Sequence, residues 1–284
     1  MILCIVGPTG VGKTKLSIAL AKRYNGIVVN GDSLQVYKKL NIGTAKVTES
    51  EKENIPHLLF DIVEPSEMYT VYDYQKDLRK TIEENKDKNI IIVGGTGLYL
   101  KAGLYNYVFN EEESANNNYD DLTNKELYNL VLKKDKNTQI HVNNRKRMIR
   151  FLNKKETLKD KDNLLYDVKF IGLTTTREKL YERINDRVEI MIKEGLIEEV
   201  KSLYDDGIKS KSVMTGIGYK ELYDYFDGNI SLNESIELIK SRSRKYAKRQ
   251  YTWFNNQMNV EWFNVDFDNF TNTINNIIKY IESE

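Results

Sequence analysis

The sequence predicts an α/β fold in which helices cover both faces of a mainly parallel β-sheet. Short β-branched runs at residues 2–6, 27–29, 90–93 and 168–173 end in polar or glycine-rich turns. Helical patterns separate these runs, and this alternation of strand and helix is typical of parallel sheets. Polar clusters follow the first three runs. Because ligands bind beyond the carboxyl ends of parallel strands, these clusters are expected to meet at one crevice.

The first strand leads directly into a glycine-rich loop, Gly7-Pro8-Thr9-Gly10-Val11-Gly12-Lys13-Thr14. A helical pattern follows, so strand, G-x-x-x-x-G-K-T loop and helix occur in the order of a P-loop, and the fold is expected to be P-loop NTPase-like. Glycines let the backbone approach phosphate oxygens, and the helix N-terminus adds unpaired N–H groups. Lys13 is expected to contact the terminal phosphates of a bound di- or triphosphate. Thr14 is expected to hold magnesium through its hydroxyl.

The second and third polar clusters are Asn30-Gly31-Asp32-Ser33 and Gly94-Gly95-Thr96-Gly97. A carboxylate at Asp32 is suited to bind magnesium or to accept a proton from a nucleophile, although an aspartate here is also a common turn residue. Thr96 is suited to bond a phosphate or leaving-group oxygen. A tight strand-to-helix turn without a ligand is the alternative for this glycine-rich cluster.

Between Tyr105 and Asn144 the alternation of strand and helix stops. Residues 111–121 are acidic and Asn-rich, and we expect them to form an exposed loop before a helix that carries Leu127, Leu130 and Val131 on one face. The sequence therefore predicts a P-loop core, residues 1–105 and 145–284, that includes the C-terminal helices. It predicts a helical insertion at residues 106–144.

A further helix is predicted after the fourth strand, where Thr175 and Glu178 have the spacing of a capping box. Arg183 and Arg187 lie four residues apart and share a face of this helix. They are candidates for a phosphate clamp, and a solvated helix surface is the alternative.

Basic residues are segregated along the chain, although the net charge is only +1. Residues 145–155 and 240–249 each contain six basic side chains and no acidic one, and aromatic residues lie within or just after the second run. Such segments are typical of surfaces that follow a nucleic-acid backbone. Solvated helix surface is again the alternative.

Several classes of protein are excluded by what the sequence lacks. It has no run of 18 apolar residues and no secretory signal pattern, so we expect a cytoplasmic protein without a membrane partner.

Cys4 is the only cysteine and is expected to pack as a small apolar residue. His57 and His141 are the only histidines, and both are expected to be structural. We expect the chain to act as a monomer.

Further sequence blocks follow the phosphate loop in a fixed order. They are Asn30-Gly31-Asp32-Ser33-Leu34-Gln35-Val36-Tyr37, Ile42-Gly43-Thr44-Ala45-Lys46, Ile55-Pro56-His57, Gly94-Gly95-Thr96-Gly97-Leu98-Tyr99, Gly216-Ile217-Gly218-Tyr219-Lys220-Glu221, and Tyr246-Ala247-Lys248-Arg249-Gln250 before Thr252-Trp253-Phe254. Together with the loop they resemble the tRNA dimethylallyltransferase family of the bacterial type, over most of the chain. The family often has a second histidine after Ile-Pro-His, where this chain has Leu58.

The resemblance implies that a dimethylallyl group moves from dimethylallyl diphosphate to the exocyclic amine of the adenine 3′ of the anticodon in tRNA. The products would be N6-isopentenyladenosine and diphosphate. Asp32 would be the general base, while Lys13, Thr96 and Arg187 would stabilise charge on the leaving diphosphate. Magnesium, the expected cofactor, would be held by Thr14.

The resemblance also implies that the anticodon stem-loop of tRNA is the partner. The side chains expected to contact it, together with the insertion, are Asp32, Ser33, Leu34, Gln35, Lys146, Arg147, Arg150, Arg244, Lys245, Lys248 and Arg249. Gln35 would help to hold the extruded adenine, which is easier to flip from a loop than from a duplex.

The sequence leaves three other functions open. Related isopentenyltransferases modify free adenine nucleotides, which would need neither the basic runs nor the insertion. A small-molecule kinase would use the same loop with an arginine-bearing lid. A non-catalytic RNA-binding module would leave Asp32 and Thr96 beside the loop unexplained.

Overall fold

The structure, a computed structural model, describes residues 1–109, 119–153 and 163–283. The chain divides into two compact units: a core unit, Met1–Tyr107 with Asn163–Glu284, and an inserted unit, Val108–Asp162. The predicted exposed loop at 111–121 lies mostly outside the described residues, and so do two basic residues of the first run, Lys154 and Lys155.

The core unit contains a six-stranded sheet whose strands, in sequence order, are β1 Ile2–Val6, β2 Gly26–Asn30, β3 His57–Leu58, β4 Asn89–Val93, β5 Val168–Thr174 and β6 Glu261–Asn264. Their spatial order is β3-β2-β4-β1-β5-β6, and every neighbouring pair is parallel. The predicted parallel α/β sheet is therefore confirmed. The two edge strands were not predicted, because β3 has only two residues and β6 lacks a β-branched run.

The helices of the core unit are α1 Lys13–Arg23, α2 Glu49–Lys52, α3 Val71–Glu84, α4 Gly97–Leu104, α7 Arg177–Lys193, α8 Leu196–Asp205, α9 Lys211–Thr215, α10 Tyr219–Phe226, α11 Leu232–Gln257 and α12 Phe270–Glu282. Helices α5 Asn124–Lys134 and α6 Arg145–Asn153 belong to the inserted unit. Residues of α8, α9 and α10 form a hydrophobic cluster that contains no strand residue. Within the described ranges, no helix combines the length and apolar character needed to cross a membrane.

The predicted start of α7 is wrong by one residue. The helix begins at Arg177, and its N-cap is Thr176, whose hydroxyl accepts a hydrogen bond from the backbone N–H of Lys179. Thr176 has the extended backbone that an N-cap requires, so Thr175 lies one residue too early for the expected capping box with Glu178.

Both faces of the sheet are buried, and side chains of β1 alternate between them. Leu3 and Ile5 join a cluster with residues of α1 and α12, whereas Cys4 and Val6 join a cluster with residues of α3 and α4. This two-residue alternation is what a parallel sheet covered by helices requires. Cys4 is fully buried and packs as a small apolar residue, as expected, and burial raises the pKa of its thiol.

The inserted unit has its own small core, built by Leu127 and Val131 of α5 with Ile140 and Met148. Met148 lies on α6, so this helix packs within the insertion and the unit extends to Asp162, beyond the predicted end at 144. Arg145 strengthens the arrangement, because its guanidinium donates to the carbonyls of Leu122 and Tyr119.

Candidate active site at the carboxyl ends of the strands

Three neighbouring strands end at the same level of the sheet. Ile5 of β1 and Asn30 of β2 both lie opposite Val93 of β4 in the parallel ladders. The turns that follow these strands therefore start side by side. They line one cleft of about 1030 Å³ in the core unit, together with residues of α7 and α11.

The phosphate loop forms the floor of this cleft. Gly10 and Gly12 have φ angles of 83° and 102°, which side chains rarely adopt, so the loop depends on glycine at these positions. The Lys13 ammonium donates to the carbonyl oxygens of Gly7 at 3.0 Å and Pro8 at 2.8 Å. Burial lowers the pKa of Lys13 to about 8, while the nearby Asp32 carboxylate opposes this shift. Thr14 lines the cleft at the first turn of α1.

Asp32 faces the same cleft from the turn after β2. Its Oδ1 accepts the backbone N–H of Leu34 at 3.0 Å, and its own N–H donates to Asn30 Oδ1 at 2.8 Å. Burial raises the pKa of the Asp32 carboxyl, while bonds from backbone N–H groups and the charge of Lys13 oppose the rise. The carboxylate thus caps its turn, which the sequence also allowed, and still lines the cleft beside Lys13.

Thr96 ties the third polar cluster to the second. Its Oγ1 accepts the backbone N–H of Ser33 at 3.0 Å and donates to the Ser33 hydroxyl at 3.2 Å. The backbone N–H of Thr96 also donates to Gly31 O at 3.3 Å. The turn after β4 is therefore bonded to the turn that carries Asp32.

Two arginines of α7 face the phosphate loop. Arg183 donates from Nε to Gly10 O at 3.1 Å, and its guanidinium lies 4.1 Å from the ring centroid of Phe267. Arg187, one turn later, lines the cleft and is half-buried; burial lowers the pKa of its guanidinium, and the charge of Arg183 lowers it further. The shared face predicted for the two residues points to the phosphate loop.

No protein cage for a metal ion exists among the described residues, because no group of three or more His, Cys, Asp or Glu side chains comes together there. Thr14 and Asp32 both line the cleft beside Lys13. Magnesium usually keeps several waters and binds through one or two side chains plus phosphate oxygens, so this sparse set of oxygen ligands fits it when a diphosphate is present.

The loop at residues 41–48 also lines the cleft, and one carboxylate holds it. Glu199 of α8 accepts the backbone N–H groups of Asn41, Ile42 and Gly43 at 3.0, 2.8 and 3.1 Å. The Tyr219 hydroxyl adds a fourth donor at 2.7 Å. Each carboxylate oxygen receives two of these four bonds. Sequence reasoning missed Glu199, because the three backbone groups that it binds lie more than 150 residues away and no local pattern marks it.

The positioned loop in turn holds Gln35. The Gln35 side-chain amide donates to the carbonyl oxygen of Thr44 at 2.9 Å. Ser33, Leu34 and Gln35 all line the cleft. His57 also lines it, but its Nδ1 bonds Ile55 O at 2.8 Å within the same segment.

The acid-free basic run on α11 is paired in part with residues from other helices. Lys240 lies 2.6 Å from Glu189, Arg242 pairs with the buried Glu221, and Arg244 donates to Asn185 at 2.6 Å. Three others, Lys245, Lys248 and Arg249, are exposed. Arg244 is half-buried and bonds Asn185 within the protein, although the sequence predicts that it contacts nucleic acid.

In the inserted unit, the basic residues of α6 are also partly exposed and partly bonded within the protein. Lys146, Arg147 and Arg150 are exposed, whereas Arg145 is bonded to backbone carbonyls of the insertion. The exposed residues keep the positive field that the sequence indicated.

Comparison with known proteins gives a consistent result over the whole chain. The model of the IPP transferase family matches residues 35–257. A tRNA dimethylallyltransferase from Anoxybacillus flavithermus is 48% identical over 100% of this chain and 96% of its own length. The solved structure of a tRNA delta(2)-isopentenylpyrophosphate transferase from Staphylococcus epidermidis is 42% identical, with a TM-score of 0.77 over 99% of this chain and 98% of that one.

A more distant solved structure has the same fold. It is a eukaryotic dimethylallyltransferase described as acting on tRNA. It is 30% identical, with a TM-score of 0.82 over 99% of this chain and 78% of that one.

Replacement of the loop-holding carboxylate gives a prediction. In Glu199→Gln the side chain keeps its shape, but one amide oxygen cannot accept four converging donors, and the new NH₂ group faces donors. We expect a loss of roughly 1–3 kcal/mol of unfolding free energy and faster hydrogen exchange at the amides of residues 41–43. Urea denaturation and exchange measured by NMR test this. The exposed neighbour Glu198→Gln is the matched control, and equal exchange rates in the two variants would contradict the role of Glu199.

Proposed function

We infer the function from one premise: the chain belongs to the IPP transferase family, and it is a prenyltransferase that transfers a dimethylallyl group to tRNA. We propose dimethylallyl diphosphate as the donor and the exocyclic amine of the adenine 3′ of the anticodon as the acceptor. One observation carries the proposal: a phosphate loop and a half-buried carboxylate, Asp32, line the same cleft.

The phosphate loop is suited to a diphosphate leaving group. When the allylic C–O bond breaks, negative charge collects on the diphosphate, and fixed positive groups stabilise it best in a partly buried site. Lys13, Arg183 and Arg187 converge there, and Thr96 lies on the neighbouring turn. Magnesium held by Thr14 would neutralise further charge on the diphosphate.

Asp32 is suited to activate the acceptor. The adenine amine is a weak nucleophile that must lose a proton as its nitrogen bonds the allylic carbon. Burial raises the pKa of Asp32, which makes the carboxylate a stronger base than an exposed one. The proton would pass to Asp32 and the electron pair of the broken C–O bond would leave with diphosphate. Ser33, Leu34 and Gln35 would contact the adenine.

The exposed cations support a tRNA acceptor rather than a free nucleotide. On α11 these are Lys245, Lys248 and Arg249, and on α6 they are Lys146, Arg147 and Arg150. A free adenine nucleotide would need neither set. We propose that the protein acts as a monomer in the cytoplasm.

One experiment decides between these acceptors. Purified protein is mixed with magnesium, labelled dimethylallyl diphosphate and either unmodified tRNA, an anticodon stem-loop RNA or adenosine monophosphate. We expect label on the two RNAs, at the adenine 3′ of the anticodon. Label on adenosine monophosphate alone would favour the free-nucleotide reaction.

The role of Asp32 predicts a selective loss of turnover. Asp32→Asn keeps an oxygen that can accept the Leu34 N–H but removes the base. We expect kcat to fall by about 10²–10⁴ while the tRNA dissociation constant stays the same. Asp186→Asn, which changes an exposed carboxylate at the cleft rim, is the control. Near-normal turnover in purified Asp32→Asn would exclude the residue as the base.

The lowered pKa of Lys13 predicts a pH dependence for diphosphate binding. Because its folded-state pKa is about 8, the ammonium loses its charge as pH rises through 8. We expect the dissociation constant of inorganic diphosphate, measured by calorimetry with saturating magnesium, to rise about fivefold between pH 8 and pH 9. Lys13→Met should bind more weakly and lose this pH dependence. The same pH dependence in both proteins would assign the titration to another group.

The exposed cations predict a salt effect. We expect neutralisation of Arg147, Arg150, Lys245 and Lys248 to weaken tRNA binding and to lower the slope of log K against log salt by roughly 0.7–0.9 for each lost contact. Donor affinity should not change. Neutralising Lys80, an exposed residue of α3, and Lys86, an exposed residue just after this helix, is the control. An unchanged slope in the quadruple variant would mean that both basic surfaces are only solvated.

A further inference from the structure

One buried side chain of α11 joins the phosphate loop to the turn after β4. Gln250 is only 5% exposed. Its Oε1 accepts the backbone N–H of Thr9 at 3.0 Å, and its Nε2 donates to the carbonyl oxygen of Gly95 at 3.1 Å. A single amide therefore connects two of the three strand-end turns that form the cleft.

The packing around this amide is tight. A Cβ at Gly95 would lie 2.0 Å from Gln250 Nε2, and a Cβ at Gly97 would lie 2.0 Å from the Trp253 ring. Helix α11 thus lies directly against the backbone of the turn. Gly95 and Gly97 of the third polar cluster are therefore needed for this contact with α11, in addition to letting a ligand approach the backbone.

The two bonds require an amide. Thr9 presents a donor and Gly95 presents an acceptor, and a glutamine side chain supplies the matching acceptor and donor at one position. A carboxylate would place an oxygen against the Gly95 carbonyl oxygen, and a methionine would leave both backbone groups without a partner.

Gly95 also lies beside the Asp32 carboxylate. A Cβ at Gly95 would lie 3.6 Å from Asp32 Oδ2, and the backbone N–H of Gly95 helps to oppose the rise in the pKa of this carboxyl. Gln250 therefore bonds the phosphate loop at Thr9 to a residue that lies directly beside Asp32.

We propose that Gln250 is a positioning residue for dimethylallyl transfer, which holds the phosphate loop and the Asp32 turn at the separation that in-line attack requires. This inference rests on the proposed function. The leaving diphosphate and the attacking amine lie on opposite sides of one carbon, so an error of about 1 Å between their holders can cost roughly 10²-fold in rate.

The test compares Gln250→Met with Gln257→Met, the same change at an exposed residue of the same helix. We expect kcat of Gln250→Met to fall about 10²-fold. The tRNA dissociation constant should match that of Gln257→Met, whereas the thermal midpoint of unfolding should be lower, because two backbone groups lose their partner. A loss of kcat without a loss of tRNA affinity separates positioning from a general structural role, which would lower both.

A second variant changes Gly95, the other partner in the hydrogen bond from Gln250 Nε2. Gly95→Ala pushes the Gln250 amide away, so its kcat should fall in the same way. The double variant Gln250→Met with Gly95→Ala should lose no more than the larger single loss, because both changes break one connection. Gln250→Glu, which keeps the acceptor for Thr9, should also bind inorganic diphosphate more weakly than Gln250→Met, because it adds negative charge beside the loop.

Three outcomes would overturn the proposal: a kcat of Gln250→Met within twofold of the control, losses of kcat that add in the double variant, or a loss of tRNA affinity in Gln250→Met as large as its loss of kcat. Wild-type transfer is measured first. An inactive wild type that still binds diphosphate would refute the proposed function, whereas an active Gln250→Met variant would refute the positioning role alone.

Discussion

The shared end level of β1, β2 and β4 is the constraint on which the site depends. The hydrogen-bond ladders continue one residue into the turns, because Gly31 N–H donates to Val93 O at 2.8 Å and Gly94 N–H donates to Ile5 O at 3.2 Å. At this point the two glycines touch, and a Cβ at Gly94 would lie 2.1 Å from the Gly31 backbone. The phosphate loop and Asp32 are consequently fixed to the same rigid edge, which suits a reaction that needs a leaving-group site and a base at a set distance.

Burial then adjusts the charges at this edge. It lowers the pKa of Lys13 and raises the pKa of Asp32, so each group is moved towards its neutral form while the attraction between them opposes both shifts. A bound diphosphate would restore the advantage of the charged ammonium. The raised pKa of Asp32 favours proton acceptance. In the proposed reaction, the same partial exclusion of water would serve both the leaving group and the base.

Two carboxylates that the proposed reaction does not use hold loops that line the cleft. Glu199 collects three backbone N–H groups and a tyrosine hydroxyl at the 41–48 loop. Glu221, only 1% exposed, accepts the backbone N–H of Gly218 at 2.7 Å and pairs with Arg242. Glycine-containing family blocks are thus fixed by charge-assisted bonds. Gly43 serves the Glu199 arrangement directly, since a Cβ there would meet the Tyr219 ring at 2.7 Å.

The sequence by itself determined the features that depend on local order. The phosphate loop, the four central strands and the polar turns after three of them follow from residue type and spacing within about ten residues, because glycine freedom and two-residue alternation act locally. Tertiary structure alone decided which distant groups meet. It placed α6 in the insertion, paired three of the α11 cations with other residues, and brought Glu199 to the 41–48 loop and Gln250 to the phosphate loop. The contacts of Glu199 with the 41–48 loop and of Gln250 with the phosphate loop join residues more than 150 positions apart. A single hydrogen bond of this kind leaves no periodic pattern in the sequence.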